Sequence, residues 1–271
     1  MKVLNSVELT DYIKDRQAKQ VRALRQADSI FPKLVVIQDI LESKPSPFIQ
    51  MIRTYSEEIL VDVEVQHKPE SEIFKAVKSL NSDKLVHGTY INRSKENQTY
   101  AQAAIDSIVS QKEISGTGKD PLFDSITSVA IDWLLAGYNI DTRGKHIVIV
   151  GNETTEMILL SERWQESGQV VQIVSPNQEN LKDETLLADI LVCATGLLGL
   201  IMPEMVKPNA VIIDAGLLSE DGSFVGNVAP GVRELPNITI TSVDDGINTI
   251  KVCALLDNVI RAARSTVESN L

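Results

Sequence analysis

Two residue patterns in this 271-residue chain could do chemistry, and both are strand ends rather than clusters of nucleophiles. The first is His146-Ile147-Val148-Ile149-Val150-Gly151, an apolar run ending in glycine, followed by a segment that opens as a helix near Thr154. A strand that turns through glycine into a helix aims backbone N–H groups and the positive helix end at a phosphate. The same junction also serves as a plain turn, and Gly151 is the one glycine of a G-x-G-x-x-G spacing here, because Asn152, Glu153, Thr154, Thr155, Glu156 and Met157 follow it. Glu153 and Glu156 suit the dipole of an empty helix start and would repel a pyrophosphate. The second pattern occurs twice. Ala188-Asp189-Ile190-Leu191-Val192-Cys193-Ala194-Thr195-Gly196 and Val211-Ile212-Ile213-Asp214-Ala215-Gly216 each run from apolar residues into a loop of small ones. Open α/β sheets bind ligands at such places, beyond the carboxyl ends of their strands. Asp214 reads either as a functional carboxylate or as the cap of a turn.

Other chemistries find no residues to carry them. His67, His87 and His146 are far apart, without metal-ligand spacing, and Lys145 follows a single glycine, so a phosphate-binding GxxxxGK loop is excluded. The two cysteines, Cys193 and Cys253, read as small buried hydrophobes in a chain that folds in a reducing compartment. With 26 basic and 37 acidic side chains the formal charge is −11, which repels nucleic acid and anionic membranes. No apolar run is long enough to span a bilayer, and the first residues lack the apolar core of a signal peptide. The expectation is a cytoplasmic protein with no nucleic-acid and no membrane partner. Average usage predicts roughly 19 glycines and 14 prolines in this length; the chain has 14 and 10.

The loops must be held by the elements around them. Hydrophobic spacing predicts a helix over 7–27, a strand over 34–37, a helix over 46–60, a strand over 61–65, a helix over 70–80, a strand over 85–91 and a helix over 101–108. Ser115-Gly116-Thr117-Gly118-Lys119-Asp120-Pro121 reads as the clearest break. A second series follows: helix 126–136, strand 146–150, helix 154–167, then strands 170–174, 190–194 and 210–214, with a last amphipathic helix over 248–267. This alternation predicts parallel sheets with crossover helices, the second of them Rossmann-like.

From about residue 30 onward the chain resembles the bifunctional methylenetetrahydrofolate dehydrogenase/methenyltetrahydrofolate cyclohydrolase family. Residues 138–151 are similar to its Y-x-I-x-x-x-G-K-x-x-V-V-x-G segment. Ala188-Asp189-Ile190 with Gly196 and Ile201 follows A-D-I-x-x-x-A-x-G-x-x-x-x-I, and Lys207-Pro208 through Asp214-Ala215-Gly216 follows K-P-G-A-x-V-I-D-V-G. Asp221-Gly222 with Gly226-Asn227-Val228 is similar to D-G-x-x-x-G-D-V, and 240–247 stands where the family has I-T-P-V-P-G-G-V. The resemblance implies an α/β protein of two domains. These are an N-terminal α/β catalytic-type domain over 1–120, completed by the C-terminal helix 248–271, and a Rossmann-like dinucleotide-binding-type domain over 121–247. It further implies a cleft for a folate-type small molecule and NADP or NAD, and a homodimer formed through the cofactor domain. The family oxidises 5,10-methylenetetrahydrofolate by hydride transfer and hydrolyses the methenyl product to 10-formyltetrahydrofolate.

Carried across position by position, the resemblance implies a cofactor frame of Gly151, Thr195, Gly196, Asp214 and Gly216. On the folate side, Ser46 and Thr127 keep the family's residues, Arg53 stands where it has a catalytic Lys, Ile49 where it has a Tyr, and Asn92 where it has the Gln that partners the Lys. Arginine stays charged and cannot exchange a proton near neutrality as a tuned lysine can; on a helix it also reads as a surface partner of Glu57. Ser115 replaces the Asp that holds the pterin, Asn152 and Glu153 replace an Arg-Ser pair beside the cofactor phosphate, Met157 replaces the second glycine of G-R-S-x-x-V-G, and Asp244, Asp245 and Asn248 interrupt P-G-G-V-G-P. Full bifunctional activity is therefore not expected. Three outcomes stay open: a dehydrogenase without the hydrolysis, a non-catalytic binding or scaffolding homologue that uses no cofactor, and an enzyme whose new substrate meets Asn92, Arg93, Asp244 and Asp245.

Overall fold

Strands buried on both faces need continuous apolar runs, and those runs become the centre of each sheet. The structure, a computed structural model, describes residues 1–39, 46–92, 98–151, 154–218, 224–244 and 246–268. In chain order it contains β1 (Lys2–Leu4), α1 (Ser6–Ala27), β2 (Lys33–Asp39), α2 (Pro47–Ile59), β3 (Asp62–Lys68), α3 (Glu70–Ser82), β4 (Gly88–Ile91), α4 (Gln98–Asp106), α5 (Ile126–Gly137), β5 (His146–Gly151), α6 (Thr155–Glu166), β6 (Val170–Val174), α7 (Leu181–Thr185), β7 (Ile190–Ala194), β8 (Val211–Asp214), the antiparallel pair β9 (Leu217–Leu218) and β10 (Phe224–Val225), β11 (Thr239–Thr241) and α8 (Asn248–Glu268). Two compact units result: Thr10–Ile126 with Val252–Leu271, and Met1–Leu9 with Thr127–Lys251.

The first unit is built on a parallel sheet of order β3-β2-β4. Its central strand supplies Leu34, Val35, Val36 and Ile37, all fully buried. Val35 and Ile37 meet Ile73, Val77 and Leu80 of α3 and Ala104 and Ile105 of α4. Within the same unit, Tyr55 of α2 donates its hydroxyl proton to Gln17 Oε1 of α1 at 2.8 Å, and Gln17 Nε2 donates to the Cys253 carbonyl of α8 at 2.9 Å. That chain ties three helices together and satisfies polar groups that would be costly to bury unpaired.

The second unit holds a parallel sheet of order β1-β11-β8-β7-β5-β6. The two-residue period of β5 sends Ile147 and Ile149 into a layer with Leu134 of α5 and Leu160 of α6, and Val148 and Val150 into an opposite layer with Leu191, Cys193 and Ile212. Both cysteines are buried, as expected of small hydrophobes, and burial pushes the Cys253 thiol up to about 11.

Several boundaries differ from those read off the sequence. The strand expected over 85–91 begins only at Gly88, and β1, α7, the β9–β10 pair and β11 have no counterpart in the sequence reading. Met1–Leu9 groups with the second series because β1 pairs with β11, whereas the sequence division ran the first domain from residue 1. In the Ser115–Pro121 break, Ser115 and Thr117 are buried while Lys119, Asp120 and Pro121 are exposed.

Candidate functional site

The second sheet reverses its winding direction between β5 and β7. From β5 the chain crosses through α6 to β6 on one side and then through α7 to β7 on the other. A crevice opens at such a switch point, outside the carboxyl ends of the two strands. Here the register pairs Gly151 with Ala194, the residue before Thr195. A Cβ built on Gly151 would lie 3.0 Å from the Ala194 carbonyl oxygen, closer than side chains normally sit to backbone. Glycine is thus required for the strand ends to approach, a role that neither reading of its place in the sequence included.

The loops after β7 and β8 are joined by one buried amide. Asn227 Oδ1 accepts from the Thr195 N–H at 3.0 Å, the Thr195 hydroxyl at 2.7 Å and the Gly196 N–H at 2.9 Å. Its Nδ2 donates to the Cys193 carbonyl at 3.0 Å and to Asp214 Oδ1 at 2.6 Å. Asp214 also accepts from the N–H groups of Gly216 at 3.2 Å, Asn227 at 3.0 Å and Val228 at 3.2 Å. Burial pushes the Asp214 carboxyl above its ordinary value, and the donors from Asn227 and Val228 oppose that push. Thr195, Gly196, Asp214 and Gly216 are therefore one assembly. Asp214 holds the loops through these bonds, as its turn-holding reading expects. Asn227 was missing from the sequence candidates; its position after Gly226 was visible, but that its side chain bridges two strand ends was not.

At the opening of α6, Thr154 caps the helix, its Oγ1 accepting from the Met157 N–H at 3.4 Å. Met157 is 3% exposed and packs in the layer with Ile149, Leu160 and Trp164, so its side chain fills the core beneath α6 and not the crevice. Glu153 lies outside the described residues. Thr127, at the start of α5, is buried and donates its hydroxyl proton to Glu156 Oε2 at 3.1 Å. Asp244 is exposed and accepts from the Ser242 hydroxyl at 3.2 Å; Asp245 lies outside the described residues. The Asn248 side chain donates to the Gly216 carbonyl at 3.4 Å.

In the first unit, Asn92 follows β4, its N–H extending the ladder to the Ile37 carbonyl at 2.9 Å, and Ser46 precedes α2 at its N-cap position. Because α2 crosses from the end of β2 back to the start of β3, Ser46 and Asn92 both belong to the carboxyl-end side of this sheet. Arg53, midway along α2, is exposed and borders a depression that Arg25, Glu57, Leu60 and Asp62 also line. Ile49 is buried in the unit's core. The turn after Glu113 is organised by that residue's own carboxylate. It accepts from the Ser115 N–H at 2.9 Å, the Ser115 hydroxyl, the Thr117 N–H at 3.1 Å and the Gly118 N–H at 3.0 Å. Gly116 within it has φ +70° and a position where a Cβ would lie 2.3 Å from the Asp124 backbone. Among the described residues no group of histidine, cysteine and carboxylate side chains could hold a metal ion, and no helix is long and apolar enough to cross a membrane.

The switch-point crevice, the glycine whose Cβ would fill the approach of β5 to β7, and the fixed loops beyond β7 and β8 lie where open α/β sheets bind their ligands, with Glu156 in the first turn of α6. Comparisons with known proteins agree with that reading. Residues 125–267 match the family model for the tetrahydrofolate dehydrogenase/cyclohydrolase NAD(P)-binding domain. Bifunctional protein FolD of Lactobacillus delbrueckii subsp. bulgaricus is 30% identical over 278 residues, 97% of each chain. The protein of the same name from Paraburkholderia phytofirmans is 30% identical over 214 residues, 74% of each chain. Among solved structures, FolD from Campylobacter jejuni superposes with a TM-score of 0.86 at 23% identity, covering 98% of this chain and 99% of that one. The Trypanosoma brucei enzyme, complexed with NADP and an inhibitor, gives 0.85 at 18% identity over 98% of both chains. With a family match across more than half of its length and relatives at 30% identity along nearly all of it, this chain belongs to the tetrahydrofolate dehydrogenase/cyclohydrolase family, as a divergent member.

Proposed function

We propose that this protein is an NAD(P)-dependent dehydrogenase acting on a methylene-bearing reduced folate, without the cyclohydrolase step. The observation that carries the proposal is the Asn227–Asp214 assembly, which holds Thr195, Gly196 and Gly216 at the ends of β7 and β8 beside Gly151. Loops fixed in this way meet a cofactor without paying to become ordered, and hydride transfer depends on positioning more than on a proton relay. A bound nicotinamide supplies the acceptor for the hydride, which leaves the methylene carbon with its electron pair and makes the folate a methenyl cation. Gly151, Thr195, Gly196 and Gly216 frame the cofactor, with Asp214 acting through them. Ser46, Asn92, Thr127, Asp244 and Asp245 serve the folate.

Hydrolysis of the methenyl product is different, because water must lose a proton as it attacks. A guanidinium stays charged near neutrality and does not relay a proton as a tuned lysine can, and Arg53 is exposed on α2. We assign it no part in proton transfer. A second reading, a homologue that binds without turnover, draws on Ile49, a buried hydrocarbon where the family has a phenol.

The test is to titrate the purified chain with each dinucleotide, then to follow 5,10-methylenetetrahydrofolate oxidation through the reduced nicotinamide and methenyl hydrolysis through loss of the methenyl chromophore. Cofactor binding and oxidation, with hydrolysis at the uncatalysed rate, is the expected result. Binding of cofactor and folate without oxidation supports the second reading, and hydrolysis above background removes the argument from Arg53.

A further inference from the structure

β6 forms the outer edge of the second sheet, beside β5, and Val150 is paired with Val174. Ser175 therefore leaves the sheet level with Gly151. In doubly wound sheets the residues beyond this second strand read the adenosine ribose. A carboxylate there suits a free 2′-hydroxyl, and an arginine is needed to accommodate a 2′-phosphate.

The segment in question is Ser175-Pro176-Asn177-Gln178-Glu179-Asn180, and α7 then brings Lys182, Asp183 and Glu184. One cation stands against three carboxylates. Glu184 is held beside the loop, accepting from Gln172 Nε2 of β6 at 2.8 Å and from Asn180 Nδ2 at 2.8 Å, both neutral amides. The Asn177 N–H is 3.4 Å from Ser175 Oγ, so this turn is shaped by its own polar groups. Asn152 and Glu153, next after Gly151 in the sequence, add no positive charge. A phosphate dianion placed at the end of β6 would face an excess of like charge, with Lys182 as the one cation and no arginine between Ser175 and Thr185. A ribose hydroxyl can donate to a carboxylate or an amide oxygen of the same segment.

We infer that the chain takes NAD and rejects NADP, and that the segment 175–180 makes the choice. This rests on the dinucleotide reading of the second unit and names which dinucleotide it is. The experiment is isothermal titration of the full chain with NAD+ and NADP+, and with ADP-ribose and its 2′-phosphate as probes of the ribose end alone. NAD+ is expected to bind more tightly by roughly tenfold or more, the scale of one missing charge-assisted contact, with the same order for the two probes. Asn177→Arg should raise the ratio of NADP+ to NAD+ affinity, because only the 2′-phosphate can make a charge-assisted hydrogen bond to the new cation. NADP+ binding as tightly as NAD+, in the wild type, overturns the inference while leaving the dinucleotide reading intact. Binding of neither dinucleotide overturns both.

Discussion

Asn227 shows how much a single amide can hold. Its oxygen accepts from Thr195 and Gly196 and its nitrogen donates to Cys193 and Asp214, so Asn227→Ala takes a donor from the buried Cys193 carbonyl and Asp214 carboxylate and the acceptor from two loop amides. Leaving buried polar atoms unpaired is among the few single changes with a large cost, here about 2–3 kcal/mol. The variant should unfold at lower urea, and the amides of Thr195, Gly196 and Gly216 should exchange with solvent faster in the folded protein. Unchanged exchange at these three amides would show that the loops are held by something else. His87 offers a pH test. Burial, reinforced by the Lys112 ammonium, holds its imidazole below the ordinary value, and its Nδ1 accepts from the Lys33 N–H at 3.2 Å. A folded value below the unfolded one means the contribution is present above about pH 6.5 and is lost as pH falls through the depressed value. The stability of the wild type relative to His87→Gln should fall on acidification across that window, read from paired urea titrations, because glutamine can accept the same hydrogen bond but takes up no proton.

The meeting of β5 and β7 depends on one missing side chain. In Gly151→Ala the new methyl would sit 3.0 Å from the Ala194 carbonyl, and a backbone atom in a paired strand has little room to retreat. Overpacking of this kind costs about 1–3 kcal/mol. Because the displaced atoms border the crevice, dinucleotide affinity should drop together with the melting temperature. If affinity is kept while stability falls, the crevice is not where the cofactor binds. The elements around this contact differ in how visible they were. β5, β7 and β8 stood out as continuous apolar runs because both of their faces are covered. β1 did not, since Lys2-Val3-Leu4 is too short to show a period, and it is a strand only because Thr239–Thr241 lies alongside. The same holds for β11 and for the five-residue α7.

Across the whole chain the formal charge of −11 sets a background field that an anionic cofactor must enter. Screening weakens that repulsion, so dinucleotide affinity should improve by about twofold or more as monovalent salt rises from roughly 20 to roughly 200 mM. This is opposite to the usual loss of affinity with salt at a basic phosphate site, and a fall in affinity would mean that a local cationic group dominates. The acidic balance was legible before any fold was known. So was the family: its motifs stood in order from Tyr138 to Asn227 and placed Gly151, Thr195, Gly196, Asp214 and Gly216 at strand ends, where the structure finds them.

Local sequence therefore determined the parallel α/β architecture and the strand ends that face the crevice, because periodicity and turn residues are properties of neighbours in the chain. Only the tertiary structure shows that Asp214 holds the loops through Asn227, that Met157 packs beneath α6, and that Arg53 is exposed. Each of those outcomes turns on which distant groups meet a side chain after folding. Asp214 and Asn227 are 13 residues apart, and no pattern along the chain records that the amide of one will satisfy the buried carboxylate of the other.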